Sequence, residues 1–238
     1  EKVDYLAEYE AVTYDSYAGL VSSEINAIVQ TDDGYIWTGT YSGLYRYDGI
    51  SFEKVELSDR IASVMVLFVD SSGLLYIGTN DNGVGIYDTN KNEITFYTTE
   101  EGLPSNSIRS IMEDDEGNIY IGSVSYLSVL QKDGTLVTHD EWEDLTVVRS
   151  LINGRDGIIA GVTNAGKLFF LKDQKLIKQT SLPGEGVYYL AVGTDGKGNY
   201  VIGTSGNYLE KMTFDGSVLR SDGNIETGEI SYANKLLY

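Results

Sequence analysis

The sequence has no cysteine, two prolines, one histidine and only 17 lysines and arginines in 238 residues. Without cysteine there are no disulfides, no thiolate metal sites and no cysteine nucleophile. Set against 36 acidic residues, the 17 bases leave a net charge of −19. Phosphate backbones and anionic lipid are repelled by such a chain, which excludes nucleic acid as a partner. No apolar run reaches the roughly 18 residues that would span a membrane. Residues 1–10 lack the basic-then-apolar order of a signal peptide. The signal or anchor of an exported protein would therefore lie outside this sequence. Taken alone, the acidic surplus reads as solubility.

Glycine and tyrosine are what the chain has in quantity, 27 and 19 residues, with 42% hydrophobic residues overall. That composition suits short strands joined by tight turns. One phrase returns along the chain. It reads Asp33-Gly34-Tyr35-Ile36-Trp37-Thr38-Gly39-Thr40 at first, then Ser72-Gly73-Leu74-Leu75-Tyr76-Ile77-Gly78-Thr79. Later copies run from Glu116 to Ser123, more weakly from Asp156 to Thr163, and from Lys197 to Thr204. The second glycines, Gly39, Gly78, Gly122, Gly161 and Gly203, are spaced by 39, 44, 39 and 42 residues.

A period near ~40 residues with several short strands per unit predicts a β-propeller of four-stranded blades. In the first unit the strands are Ile25–Gln30, Tyr35–Thr40, Leu44–Tyr47 and Ser51–Leu57, separated by Asp-Gly and Ser-Gly turns. Five blades are expected, at about 23–58, 62–97, 106–138, 146–180 and 187–221. No segment carries a helical apolar period, so the fold class is all-β. The second strand of each unit holds Trp37, Tyr76, Tyr120, Ile159 or Val201. This position is read as the side chain wedged between blades, with Gly39 and its equivalents where another group approaches closely.

Gly19-Leu20-Val21-Ser22-Ser23-Glu24-Ile25 runs on into the first copy of the phrase, and Gly102-Leu103-Pro104-Ser105-Asn106-Ser107-Ile108 into the third. This order resembles the two-component regulator propeller repeat, strongly to about residue 123 and weakly afterwards. The third unit departs from it with Val124-Ser125-Tyr126 at its tight turn, and the fourth with Ala160 where the aromatic belongs. The resemblance implies an extracytoplasmic sensor propeller. A membrane segment and a histidine kinase or cyclic-dinucleotide synthesis domain would follow it in the full-length protein. It also implies a small ligand, carbohydrate fragments among the expected ones.

The acidic turns at Asp32-Asp33, Asp70 and Glu113-Asp114-Asp115-Glu116 do not follow the EF-hand pattern and read as turn chemistry. No metal or cofactor is expected. The one histidine, His139, reads as a solvated residue of a polar connection, and no catalytic residue is assigned. Loops of the face where each first strand enters are the better candidates, because aromatic rings with Asn and Asp suit a sugar. They include Tyr17, Tyr41, Asn80, Asp81, Tyr126, Trp142, Asn164 and Asn207. The rival readings are a propeller lyase or hydrolase and a plain interaction scaffold.

A sixth phrase would fall near residue 243, beyond the last residue. Residues 8–17 have the place of a fourth strand and residues 229–238 that of a first strand, so the expectation is an incomplete ring. Its exposed blade face and strand edges would invite self-association.

Overall fold

The computed structural model describes residues 12–14, 16–21, 24–184, 186–228, 232–233 and 236. Its strands form five antiparallel sheets of four, each keeping chain order from first strand to fourth. Blade one is β1 (Ile25–Gln30), β2 (Ile36–Thr40), β3 (Gly43–Tyr47) and β4 (Phe52–Val55). Blade two is β5 (Val64–Val69), β6 (Leu75–Thr79), β7 (Val84–Asp88) and β8 (Glu93–Tyr97). Blade three is β9 (Ile108–Glu113), β10 (Ile119–Ser123), β11 (Leu127–Leu130) and β12 (Leu136–His139). Blade four is β13 (Val148–Asn153), β14 (Ile159–Thr163), β15 (Lys167–Lys172) and β16 (Lys175–Ser181). Blade five is β17 (Tyr189–Thr194), β18 (Asn199–Thr204), β19 (Tyr208–Phe214) and β20 (Leu219–Glu226). The fold is an all-β propeller. Among the described residues, helix is limited to single 3-10 turns at Ser16–Ala18 and Arg155–Gly157, and no helix could cross a membrane.

The repeat phrase builds each blade in the same way. In blades two and three an aspartate two residues ahead of it locks the turn between first and second strands: Asp70 Oδ1 accepts from the Ser72 and Leu74 amides at 3.0 and 2.8 Å. Asp114 Oδ1 does the same for Glu116 and Asn118 at 3.0 and 2.8 Å. The phrase ends in Thr or Ser, which closes the turn between second and third strands. Thr40 Oγ1 donates to the Gly43 carbonyl at 3.1 Å and accepts from the Ser42 amide at 3.0 Å. Ser123 makes the equivalent bonds to Tyr126 and Ser125 at 2.9 and 3.0 Å, which holds the glycine-free turn of blade three in shape. Each of these hydroxyls is buried and doubly used, as a buried polar group must be.

Packing between blades makes the core. Trp37 is 2% exposed, donates Nε1–H to Thr31 Oγ1 at 3.0 Å, and meets Tyr87 of blade two edge-on at 6.1 Å. Tyr76, Tyr120 and Ile159 are buried on their own blades, while Val201 is half-buried. A Cβ at Gly39 would strike Val64; at Gly78, Val66 and Ile108; at Gly161, the Phe169 ring. At Gly122 it would come within 2.9 Å of the Val148 carbonyl, and at Gly203 it would strike the Ala233 carbonyl. Ala233 thus lies on blade five where Val64, Ile108 and Val148, each the first residue of the following blade, lie on blades one to three. Its amide donates to the Thr204 carbonyl at 3.1 Å.

The innermost strands touch in series, β1 to β5 to β9 to β13 to β17, and among the described residues β17 makes no comparable contact with β1. Most of 229–238, and half of 8–17, lies outside the described residues. Where 8–17 is described it is not a strand. Residues 12–14 are irregular, Tyr14 stacks edge-on against Tyr47 and Phe52, and the Gly19 amide closes a tight turn onto the Ser16 carbonyl at 3.2 Å. Blade five also runs past the expected limit of 221, to Glu226. Gly223 has φ +85° and sits in a bulge: Lys211 pairs with Gly223 while Met212 pairs with Ser221.

Candidate ligand-binding face

Antiparallel pairing fixes which loops share a face. Each first strand starts opposite the end of the second, as Ile25 does opposite Thr40, and each fourth strand ends beside the start of the third, as Val55 does beside Leu44. The second-to-third turns and the blade-to-blade connections therefore crowd one end of the propeller, around the entry points of the innermost strands. Hydrogen bonds knit that end together. Asn82 Nδ2 donates to the Arg60 carbonyl at 3.0 Å, the Gly83 amide to the Asn106 carbonyl at 2.9 Å, and the Thr99 amide to Asn106 Oδ1 at 2.8 Å. A shallow cleft of about 170 Å³ opens here between Arg60, Asn82, Thr98, Thr99, Glu100 and Asn106.

The entry points carry a feature that no strand pattern announces. In every blade the pairing of first with second strand skips one residue: Asn26, Met65, Arg109, Arg149 and Leu190. A bulge of this kind leaves one residue without a partner and re-aims its side chain. Three of these chains meet a neighbouring blade. Asn26 Nδ2 donates to the Val64 carbonyl at 2.9 Å and lies 3.9 Å from Met65 Sδ. Arg109 turns back to blade two, donating from Nη1 to the Ile108 carbonyl at 2.8 Å and from Nη2 to Asn80 Oδ1 at 3.1 Å. Ser107 Oγ also points at Asn80 Oδ1, 3.4 Å away, and Asn80 Nδ2 donates to Asp81 Oδ1 at 2.9 Å. Burial, then repulsion from Arg149, lowers the pKa of Arg109, with Tyr41 and Asp81 acting in the opposite sense.

Of the candidate loop residues, the structure gathers Tyr41, Asn80 and Asp81 about Arg109. Tyr41 is 53% exposed, as a ring that stacks on a ligand must be. Tyr126 and Asn164 are half-buried at the turns of blades three and four, and Asn207 is exposed at that of blade five. Tyr17 is 98% exposed on the 3-10 turn before blade one. Trp142 needs correcting. It is 9% exposed within the cluster of Tyr120, Leu127, Val129, Val148 and Phe169, and one face is covered by His139. A ring so enclosed belongs to the core and not to a sugar platform. His139 is corrected with it: it is the buried last residue of β12, its Nδ1 2.7 Å from Glu141 Oε1, and not a solvated loop residue. Arg109 and Arg149 went unselected in the sequence. Aligning the units on their first strands would have exposed them, as Ile108-Arg109 and Val148-Arg149 against Ile25-Asn26 and Val64-Met65.

Residues 19–42 and 102–125 match the model of the two-component regulator propeller family. No curated protein sequence matches the chain. Among solved structures, it is similar to the extracellular domain of the putative hybrid two-component system BT3049 from B. thetaiotaomicron, with a TM-score of 0.73 and 18% identity over 89% of this chain and 32% of that one. The corresponding domain of BT4673 from the same organism gives 0.53 and 22%, over 91% and 35%. Virginiamycin B lyase from Staphylococcus aureus gives 0.70 and 17%, over 88% and 71%. The chain thus spans about a third of the length of the two-component structures it matches. These likenesses show the propeller fold. The two matched segments show that the chain carries the two-component regulator repeat.

Proposed function

We propose that this propeller, which carries the two-component regulator repeat, is a non-catalytic ligand-sensing domain of a membrane-anchored bacterial signalling protein, placed outside the cytoplasm. The observation that carries the reading is the convergence of Tyr41, Asn80, Asp81 and Arg109, from three blades, at the mouth of the innermost strands. The neighbours that are extracellular domains of hybrid two-component systems support the placement. A rim of amide, carboxylate and phenol with a half-buried guanidinium suits a hydroxyl-rich small molecule, carbohydrate fragments included. Support for a non-catalytic role comes from His139, whose ring is stacked on Trp142 and tied to Glu141 on an outermost strand.

The test is a thermal-shift screen of oligosaccharides, peptides and small metabolites, followed by product analysis of every hit. Stabilisation that rises with ligand concentration and yields no product supports the sensor. Turnover would make the chain an enzyme of the lyase or hydrolase kind. A screen without hits would favour a scaffold.

A further inference from the structure

Two arginines occupy equivalent bulges on adjacent blades, Arg109 at the head of β9 and Arg149 at the head of β13, and these two strands are in contact. Neither has a carboxylate within ion-pair distance among the described residues. Ten of the fifteen described bases lack such a partner, but seven of these are exposed and only Lys172 shares the half-burial of Arg109 and Arg149. Arg46, Lys54, Lys91, Arg155 and Lys167 each have an acidic partner within 4 Å. Arg149 Nε is buried and has no acceptor at all. Two neighbouring guanidiniums, half-buried and with no carboxylate at ion-pair distance, are held at a cost in desolvation and repulsion. A fold that holds them so has placed a local positive site inside a strongly negative molecule.

We infer that Arg109 and Arg149 form a subsite for a carboxylate group of the ligand, received between the two guanidiniums at the inner rim of blades three and four. The guanidinium fork matches a carboxylate in two parallel hydrogen bonds, and Arg109 is pre-set for it by the Ile108 carbonyl and Asn80. Asn80, Asp81 and Tyr41 then face the remainder of the ligand. A singly charged carboxylate is favoured over a phosphate or sulfate, because Asp81 beside the site repels a second negative charge more strongly. Two sources present this chemistry, an acidic sugar or a small dicarboxylic acid. The inference rests on the sensor reading and narrows its ligand.

The test titrates the chain with four probes: digalacturonate, the neutral galactose disaccharide, succinate and inorganic sulfate. Calorimetry reports affinity, and the nitrogen-15 signal of the Arg149 Nε–H reports contact. The expected result is binding of digalacturonate or succinate that displaces the Arg149 signal, with the better of the two identifying the source. Binding should weaken roughly tenfold or more in Arg109→Gln and in Arg149→Gln. Circular dichroism checks that each variant is folded, and the signal of the unaltered chain decides the matter if one is not. Equal binding of the neutral disaccharide with an unmoved Arg149 signal would overturn the carboxylate subsite and leave the sensor standing. An unmoved signal with both acidic probes, or displacement by sulfate alone, would also overturn it. Turnover of a bound acidic probe would instead remove the sensor reading and keep the subsite.

Discussion

His139 lies flat on Trp142, ring centroids 4.0 Å apart and planes 2° from parallel, with His139 Nδ1 at 2.7 Å from Glu141 Oε1. The pair seals the outer seam between blades three and four. Trp142→Ala should cost about 3–5 kcal/mol, the range for deleting a large buried aromatic. His139→Phe keeps the stack and removes the buried Nε2, which has no partner, so it should change stability by about 1 kcal/mol or less. Urea unfolding of the two variants checks both values. Equal losses would show that the imidazole contributes more than its ring surface.

Two turn glycines separate conformational strain from steric contact. Gly34 has φ +88° with open space around its Cβ position, so Gly34→Ala should cost about 1–2 kcal/mol, from backbone strain alone. Gly83 has φ +73°, and an added Cβ would strike the Tyr97 carbonyl. Gly83→Ala should therefore be clearly the more destabilising of the two, measured as the difference in unfolding free energy.

Acid should loosen the turns. Amides of Ser51 and Ile50 hold the Asp48 carboxyl below its ordinary value, that of Thr135 holds Asp133, and those of Val218 and Ser217 hold Asp215. A carboxyl lowered in the folded state stabilises the fold above its unfolded pKa, and that contribution is lost as pH falls through the folded value. Melting temperature should thus drop as pH descends below about 4, the unperturbed Asp value. With Asp48, Asp133 and Asp215 all changed to Asn, the melting temperature should fall at neutral pH and vary less with acid.

Glu210 works in the opposite direction. It is 2% exposed on β19, and burial raises its pKa. The folded state then holds the proton more tightly, so stability present below the unfolded pKa declines as pH rises through the folded one. Asn224 offsets part of the loss when its amide nitrogen donates to Glu210 Oε2 at 2.7 Å. Glu210→Gln should match the parent near pH 4 and melt higher than it at neutral pH. Paired melting curves across that interval decide it, and a variant less stable at neutral pH would show that the ionised carboxylate is well paired.

The propeller was legible because its punctuation is local. An aspartate that locks one turn, a glycine that admits the neighbouring blade and a threonine that closes the next turn all lie within ten residues, as Asp70, Gly78 and Thr79 do. What was not legible depends on three dimensions. His139 and Trp142 stand among Asp140, Glu141, Glu143 and Asp144, so their surroundings in sequence are polar although their surroundings in space are not. Asp222-Gly223 has the composition of a turn, but β19 continues alongside it and turns the pair into a bulge. The site was half visible. Asn80 and Asp81 declare themselves as turn residues, whereas Arg109 and Arg149 sit inside strands whose break in register has no residue signature.

The five entry bulges separate what must stay from what can change. A residue without a cross-strand partner can be exchanged while every ladder bond on either side survives, so the half-buried Asn26, Met65, Arg109 and Arg149 escape the constraint that binds Gly39 or Thr40, whereas Leu190 is held by its burial in the core. Four such positions, on blades one to four, are an alphabet written around a fixed frame. Relatives built on the same repeat can then diverge in what they recognise by rewriting these letters with the strand ladders intact, and an engineer could retarget the propeller by the same route.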